Sequence, residues 1–154
     1  MGVVIDIGNI EKKLRAAINS AMKNDVPQII KDAESRHAAS DVYGAYAPTY
    51  YARRGSLSNQ GNMETTVGDM EVTVRNIAEP NHAYDWNNDG PYRFMPPPNS
   101  GFLASLVGDG GPYNFPAAIG ARPFIENTVT ELKGSGAIRD AIAGAIGSAG
   151  FSVG

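Results

Sequence analysis

Eight of the ten prolines of this chain fall between Pro80 and Pro123, together with Gly90-Pro91, Pro96-Pro97-Pro98 and Gly110-Gly111-Pro112 steps. Inside a helix a proline removes a backbone donor and clashes with the preceding turn; inside a central strand it removes a ladder bond. Any regular core must therefore come from the residues on either side of an extended loop over 80–121. That loop is not polar, because it carries Tyr84, Trp86, Tyr92, Phe94, Met95, Phe102, Leu103, Leu106, Val107, Tyr113 and Phe115. An ordered loop longer than about 15 residues is uncommon in a compact domain and is usually functional. Its rings are thus expected to dock on something, and a partner is the simplest candidate. A short strand or helical turn around 102–107 would shorten the gap.

The flanks carry clear periodicities. Ile10, Leu14, Ala17, Ile18, Ala21, Met22, Ile29, Ile30 and Ala33 recur with helical spacing, which predicts an amphipathic helix over 10–39. Gly8 and Asn9 read as its start, after a strand that leads into the helix cap. Pro27 is expected to kink or split it near Asn24 and Asp25. Between 63 and 77 the period changes to two, with Thr65 and Val67, then Val72 and Val74, around a Gly68-Asp69 turn signal, so a hairpin is expected. Beyond Pro123, Phe124, Ile125, Thr128, Val129 and Leu132 predict a helix over 124–133 that Gly134 and Gly136 interrupt. Ile138, Ile142 and Ile146 predict a second over 137–149, and Phe151–Val153 a short terminal strand. With 154 residues, these elements fit one domain spanning 1–154.

Composition narrows the chemistry. The absence of cysteine excludes disulfides, thiolate metal sites and cysteine nucleophiles. Thirteen basic against 16 acidic residues leave a net charge of -3, without the positive excess that drives duplex binding through phosphate neutralisation. No run of about 18 apolar residues suggests a membrane span, and Met1–Ile7 lacks the basic start of a secretory signal, so a soluble, unexported protein is expected. Only His37 and His82 offer imidazoles, which makes an enzyme an unfavoured reading and leaves no catalytic residue, cofactor or metal to assign.

Individual motifs support that view. Val3-Val4-Ile5-Asp6-Ile7-Gly8-Asn9 looks like the phosphate strand of the sugar-kinase and actin superfamily, but the chain passes directly into a helix, and a helix cap explains the residues better. Asp85-Trp86-Asn87-Asn88-Asp89-Gly90 reproduces the first half of a calcium loop, yet its twelfth position is Pro96, so an Asx-stabilised turn is favoured. His37 and Asp41, four residues apart, suit a hydrogen-bonded pair at a helix end. Gly108-Asp109-Gly110-Gly111 lacks the following Lys or Ser/Thr helix of a phosphate loop and reads as a turn.

The most unusual segment is 42–55, with Tyr43, Tyr46, Tyr50 and Tyr51 beside Arg53 and Arg54. It reads either as a connector whose rings pack on the helix or as a contact surface, tyrosine and arginine being enriched at interface hot spots. This segment, the hairpin, the Gly/Pro/Tyr-rich loop and then Gly120-Ala121-Arg122-Pro123-Phe124-Ile125-Glu126-Asn127-Thr128 together resemble a family of tailed-bacteriophage head–tail connection and minor tail proteins, over roughly 9–150. The resemblance implies an α+β fold, with a long N-terminal helix and C-terminal helices on a small antiparallel sheet. It implies a non-catalytic homo-oligomer, a hexameric ring at the neck or the head-proximal end of the tail. Such a ring contacts neighbouring neck and tail-tube proteins and lets DNA pass without specific binding. It belongs to the virion and is assembled in the host cytoplasm. The 80–116 loop and the glycine-rich C-terminus exceed what a minimal member needs.

On that reading Tyr43, Tyr46, Tyr50, Tyr51, Arg53 and Arg54 stabilise the protomer and border the subunit interface. Arg122, Pro123 and Phe124 fix the start of the late helix against the sheet, and Trp86, Tyr92 and Phe94, with Pro96–Pro98, reach a neighbour. Two other classes compete. One is a calcium-dependent carbohydrate- or ligand-binding module using the aromatic loop; the other is a hydrolase built on His82.

Overall fold

The computed structural model describes residues 6–45, 55–78 and 122–153. It is an α+β arrangement organised around one long helix, α1 (Ile7–His37), which carries an antiparallel hairpin and two C-terminal helices, α2 (Phe124–Ser135) and α3 (Ala137–Ser148).

Helix α1 begins earlier than its apolar stripe suggests. Asp6 is the N-cap, its Oδ1 accepting the Asn9 amide at 3.1 Å, so the carboxylate satisfies one of the free donors of the first turn. The helix is not split at Pro27, which sits inside its 31 residues and is buried next to Val26. A proline removes a single amide, and here the flanking turns are clamped by tertiary contacts on both sides. The buried face runs through Ala17, Ala21, Val26, Ala33 and Glu34. Its residues are mostly small, and small side chains let neighbouring elements approach closely. Past His37 the chain does not stop but widens into a π-helical turn, Ala38–Gly44, which buries Ala38 and Val42.

The hairpin pairs β1 (Met63–Gly68) with β2 (Glu71–Asn76), Met63 opposite Asn76 and Gly68 opposite Glu71. The loop is Asp69-Met70, one residue later than the Gly-Asp signal implies, and Met70 takes the left-handed region at φ 55°. One face of the hairpin, including Met63 and Asn76, packs on α1, while Glu64, Thr66, Glu71, Thr73 and Arg75 are exposed. Its tip is latched to α1 by two residues one turn apart. Arg15 pairs with Asp69, and Asn19 both donates to Asp69 Oδ1 at 2.9 Å and accepts the Met70 amide at 2.7 Å.

Helix α2 starts at Phe124, which is fully buried with Ala38, Val42, Leu57 and Ala78. The start of the late helix is therefore fixed against the π turn and the chain flanking the hairpin, not against the strands themselves. The break between α2 and α3 is Gly136 alone, at φ 71°, while Gly134 stays helical. A left-handed residue ends one helix and lets the next begin. From there α3 runs back along the N-terminal half of α1. The expected terminal strand does not form. Gly150, at φ 91°, and Phe151 close α3 instead, with bonds from the Gly150 amide to Gly147 (3.0 Å) and from the Phe151 amide to Ile146 (3.3 Å). This pair is the Schellman pattern of a helix C-terminus, and it uses the amide a strand would need.

Candidate functional site

Of the residues expected at a subunit contact, Tyr43, Arg122 and Phe124 lie in the described chain. Tyr46, Tyr50, Tyr51, Arg53, Arg54, Trp86, Tyr92 and Phe94 lie outside the described residues, as do His82, the Asp85–Asp89 turn and Gly108–Gly111. The three described residues converge on one place, the π turn. Tyr43 packs on the core cluster, and its hydroxyl accepts the Leu57 amide at 2.9 Å. Arg122 donates from a guanidinium nitrogen to the Val42 carbonyl at 2.7 Å. A widened helical turn leaves carbonyls poorly satisfied by its own backbone, and a guanidinium suits one of them. Phe124 fills the space beneath. The Tyr-Arg-Phe set therefore joins three separate chain segments at the point where 45 and 122 lead into the aromatic stretches.

Beside it is a polar cluster that binds α1, the π turn and α2 together. His37 contacts Asp41 through Nδ1 at 2.9 Å and Glu131 through Nε2 at 3.0 Å. Asn127 donates to Asp41 Oδ2 at 2.9 Å, Ser40 donates to Asp41 Oδ1 at 2.6 Å, and Arg36 pairs with Glu131. The amide of Asn127, then the Ser40 hydroxyl and His37, hold the Asp41 carboxyl below its ordinary range; Arg36 and His37 do the same for Glu131. The sequence suggested the His37–Asp41 pair from its spacing. Glu131, 94 residues from His37, carries no sequence signal for this contact.

A second cluster is buried under the hairpin. Glu34 is 4% exposed, and its carboxylate accepts the Asn76 side-chain amide at 2.8 Å; Asn76 also donates to the Leu57 carbonyl at 2.9 Å and accepts the Ala78 amide at 3.0 Å. Burial pushes the Glu34 carboxyl above its ordinary range, and the Asn76 bond opposes this. Nearby, Asp32 accepts from Gln28 at 2.8 Å and Gln60 at 2.7 Å, and both bonds hold its carboxyl low. These residues are tied to structural partners. Among the described residues no group of histidines and carboxylates is arranged to hold a metal ion.

The remaining feature is apolar. Helix α3 reads Ala-Ile-Arg-Asp-Ala-Ile-Ala-Gly-Ala-Ile-Gly-Ser; Ile138, Ile142 and Ile146 are half-buried, while Arg139, Asp140, Gly144, Gly147 and Ser148 are exposed. Among the described residues its main contact is α1, across an open groove lined by Lys13, Ala17, Ser20, Asp25, Ala141 and Ala145. On α2, Ile125 and Val129, one turn apart, are also exposed. No helix of the described residues is long and apolar enough to cross a membrane, so lipid is not indicated by length.

Comparison with known proteins gives the following. A model of the YomN family matches residues 6–148. Among curated proteins, the chain is similar to the SPbeta prophage-derived uncharacterized protein YomN of Bacillus subtilis (strain 168). The two are 30% identical over 126 residues, covering 77% of this chain and 76% of that protein. No solved structure matches significantly.

Proposed function

Since the chain belongs to the YomN family, which has a prophage-derived member, we propose that it is a structural protein of a tailed-bacteriophage particle. In this reading it forms a homo-oligomeric ring, of about six copies by the resemblance drawn from the sequence, at the neck or the head-proximal end of the tail. It works without a chemical step, completing or terminating the tail and joining it to the head around a channel for DNA. The observation that carries the reading is the 30% identity to a prophage-derived protein over 77% of the chain, and the exposed pair Ile125 and Val129 on α2 supports a contact with other chains. Burying such a surface on sister copies gives roughly 25 cal/mol per Å² of apolar area removed from water, and a head-to-tail contact closes into a ring when its rotation closes. The Tyr43–Arg122–Phe124 junction supports it as a rigid base from which the aromatic stretches depart.

Deleting the gene from the phage or prophage genome that carries it tests the function. Electron microscopy of the resulting lysates should show filled heads and tails that are not joined, or tails of uncontrolled length. Intact infectious particles lacking the protein would contradict it.

A further inference from the structure

His37 is the last residue of α1 and stands where α1, the π turn and α2 meet. Both nitrogens of its ring are engaged, Nδ1 with Asp41 Oδ2 at 2.9 Å and Nε2 with Glu131 Oε2 at 3.0 Å, and the side chain is only 21% exposed. An ionised carboxylate accepts hydrogen bonds and donates none, so a ring nitrogen bonded to one must itself carry a proton. Two such bonds need two ring protons, which is the imidazolium. A neutral ring has one proton, and its other nitrogen turns a lone pair toward a carboxylate oxygen. The carboxyls do not supply the missing proton. Asn127, Ser40 and His37 hold Asp41 low, while Arg36 and His37 hold Glu131 low.

We propose that His37 is a pH-dependent fastener: its doubly protonated ring ties α2 to the end of α1 and to the π turn, and release of one ring proton opens the tie to Glu131. Among the described residues the charged groups at the ring are Asp41 from the π turn, Glu131 from α2 and Arg36 from α1, the last paired with the other oxygen of Glu131. With the ring protonated, two cations meet two anions; without that proton the half-buried seam keeps an excess negative charge. The Nδ1 contact is local, four residues along the chain, whereas the Nε2 contact joins residues 94 apart. Asp41 also keeps the bonds from Ser40 and Asn127, so the contact given up is the one to Glu131. Histidine is the side chain that changes charge around neutrality, and carboxylates take up protons below about pH 4. The fastener is therefore closed in mildly acidic solution and loosens as pH rises through the histidine range. It also fails in strong acid, when Asp41 and Glu131 lose their charge. It acts within a single chain and stands independently of the ring reading.

Urea denaturation of the full chain at pH 6 and pH 8.5, with and without Glu131→Gln, in the parent and in a His37→Gln background, tests the fastener. In the parent, Glu131→Gln should lower the urea midpoint more at pH 6 than at pH 8.5. In the His37→Gln background the loss should be equal at the two values, because the remaining partner, Arg36, does not titrate between them. Equal losses in the parent, as a fixed structural contact would give, would overturn the proposal, and so would a pH-dependent loss that survives His37→Gln. Nitrogen-15 NMR of the unmutated chain reads the ring directly, with His37→Gln identifying its signals. Both ring nitrogens should carry protons at pH 6, and Nε2 should be bare at pH 8.5. A ring with a single proton at pH 6 would overturn the fastener whatever the variants do.

Discussion

The buried carboxylate of Glu34 and the surface carboxylates of Asp32 and Asp41 respond to pH in opposite senses. Asp32 and Asp41 are held low by hydrogen bonds, so their contributions to stability are complete above the ordinary carboxylate range and are lost as pH falls through their folded values. Glu34 is held high by burial. Its folded form binds a proton more readily than the unfolded chain does, so stability is gained as pH falls through its folded value and is absent well above it. Glu34→Gln retains an oxygen for the Asn76 amide and removes the charge. Urea denaturation should show the variant more stable than the parent at pH 7, with the difference shrinking at pH 5. A variant destabilised equally at both values would mean that the carboxylate is needed as an anion. At the same scale Phe124, fully buried where α2, the π turn and the hairpin flanks meet, should cost about 3–5 kcal/mol on truncation to alanine, read as a lower urea midpoint. A change under about 1 kcal/mol would place the residue outside the folding core.

Glycine separates the parts of the helices that serve the single copy from those that do not. Gly136 lies at φ 71°, and a Cβ there would meet the Arg139 side chain at 2.9 Å, so Gly136→Ala should destabilise by roughly 1 kcal/mol or more. Gly144 and Gly147 have nothing within 4 Å of the missing Cβ. Alanine at either should stabilise the isolated protomer by roughly 0.5–1 kcal/mol through helix propensity. Thermal melts of the three variants check the contrast, and a loss of stability at Gly147→Ala would show a contact made in the single chain.

Elements of this kind were largely readable from the sequence, because the 3.6- and 2-residue periods of α1, the hairpin and the late helices are local. Their ends were less so. Asp6 displaced Gly8 and Asn9 as the start because a side-chain oxygen satisfies a free amide, which glycine cannot do. Gly136 and not Gly134 became the break, since the choice depends on where the last turn packs. The π turn after His37 has no periodic signal, because it arises where Ala38 and Val42 meet Phe124, a residue on a remote segment.

For the whole molecule, the sequence led to the expectation of a phage contact protein, and 30% identity to a prophage-derived protein supports the phage-related part of it. Within the described chain the contacts of Tyr43 and Arg122 are internal ones, to Leu57 and Val42. Residue type alone marks such side chains as hot-spot material but does not say whether a partner or the same chain receives them. The exposure of Ile125 and Val129 on α2 was invisible beforehand for the same reason: exposure belongs to the packed molecule. The central claim is that sister copies of the chain assemble on one another. Size-exclusion chromatography with light scattering on the purified full chain measures this most directly. Assembly of sister copies predicts a discrete particle at a whole-number multiple of 16.3 kDa, persisting on dilution. A single 16.3 kDa species at every concentration would contradict it.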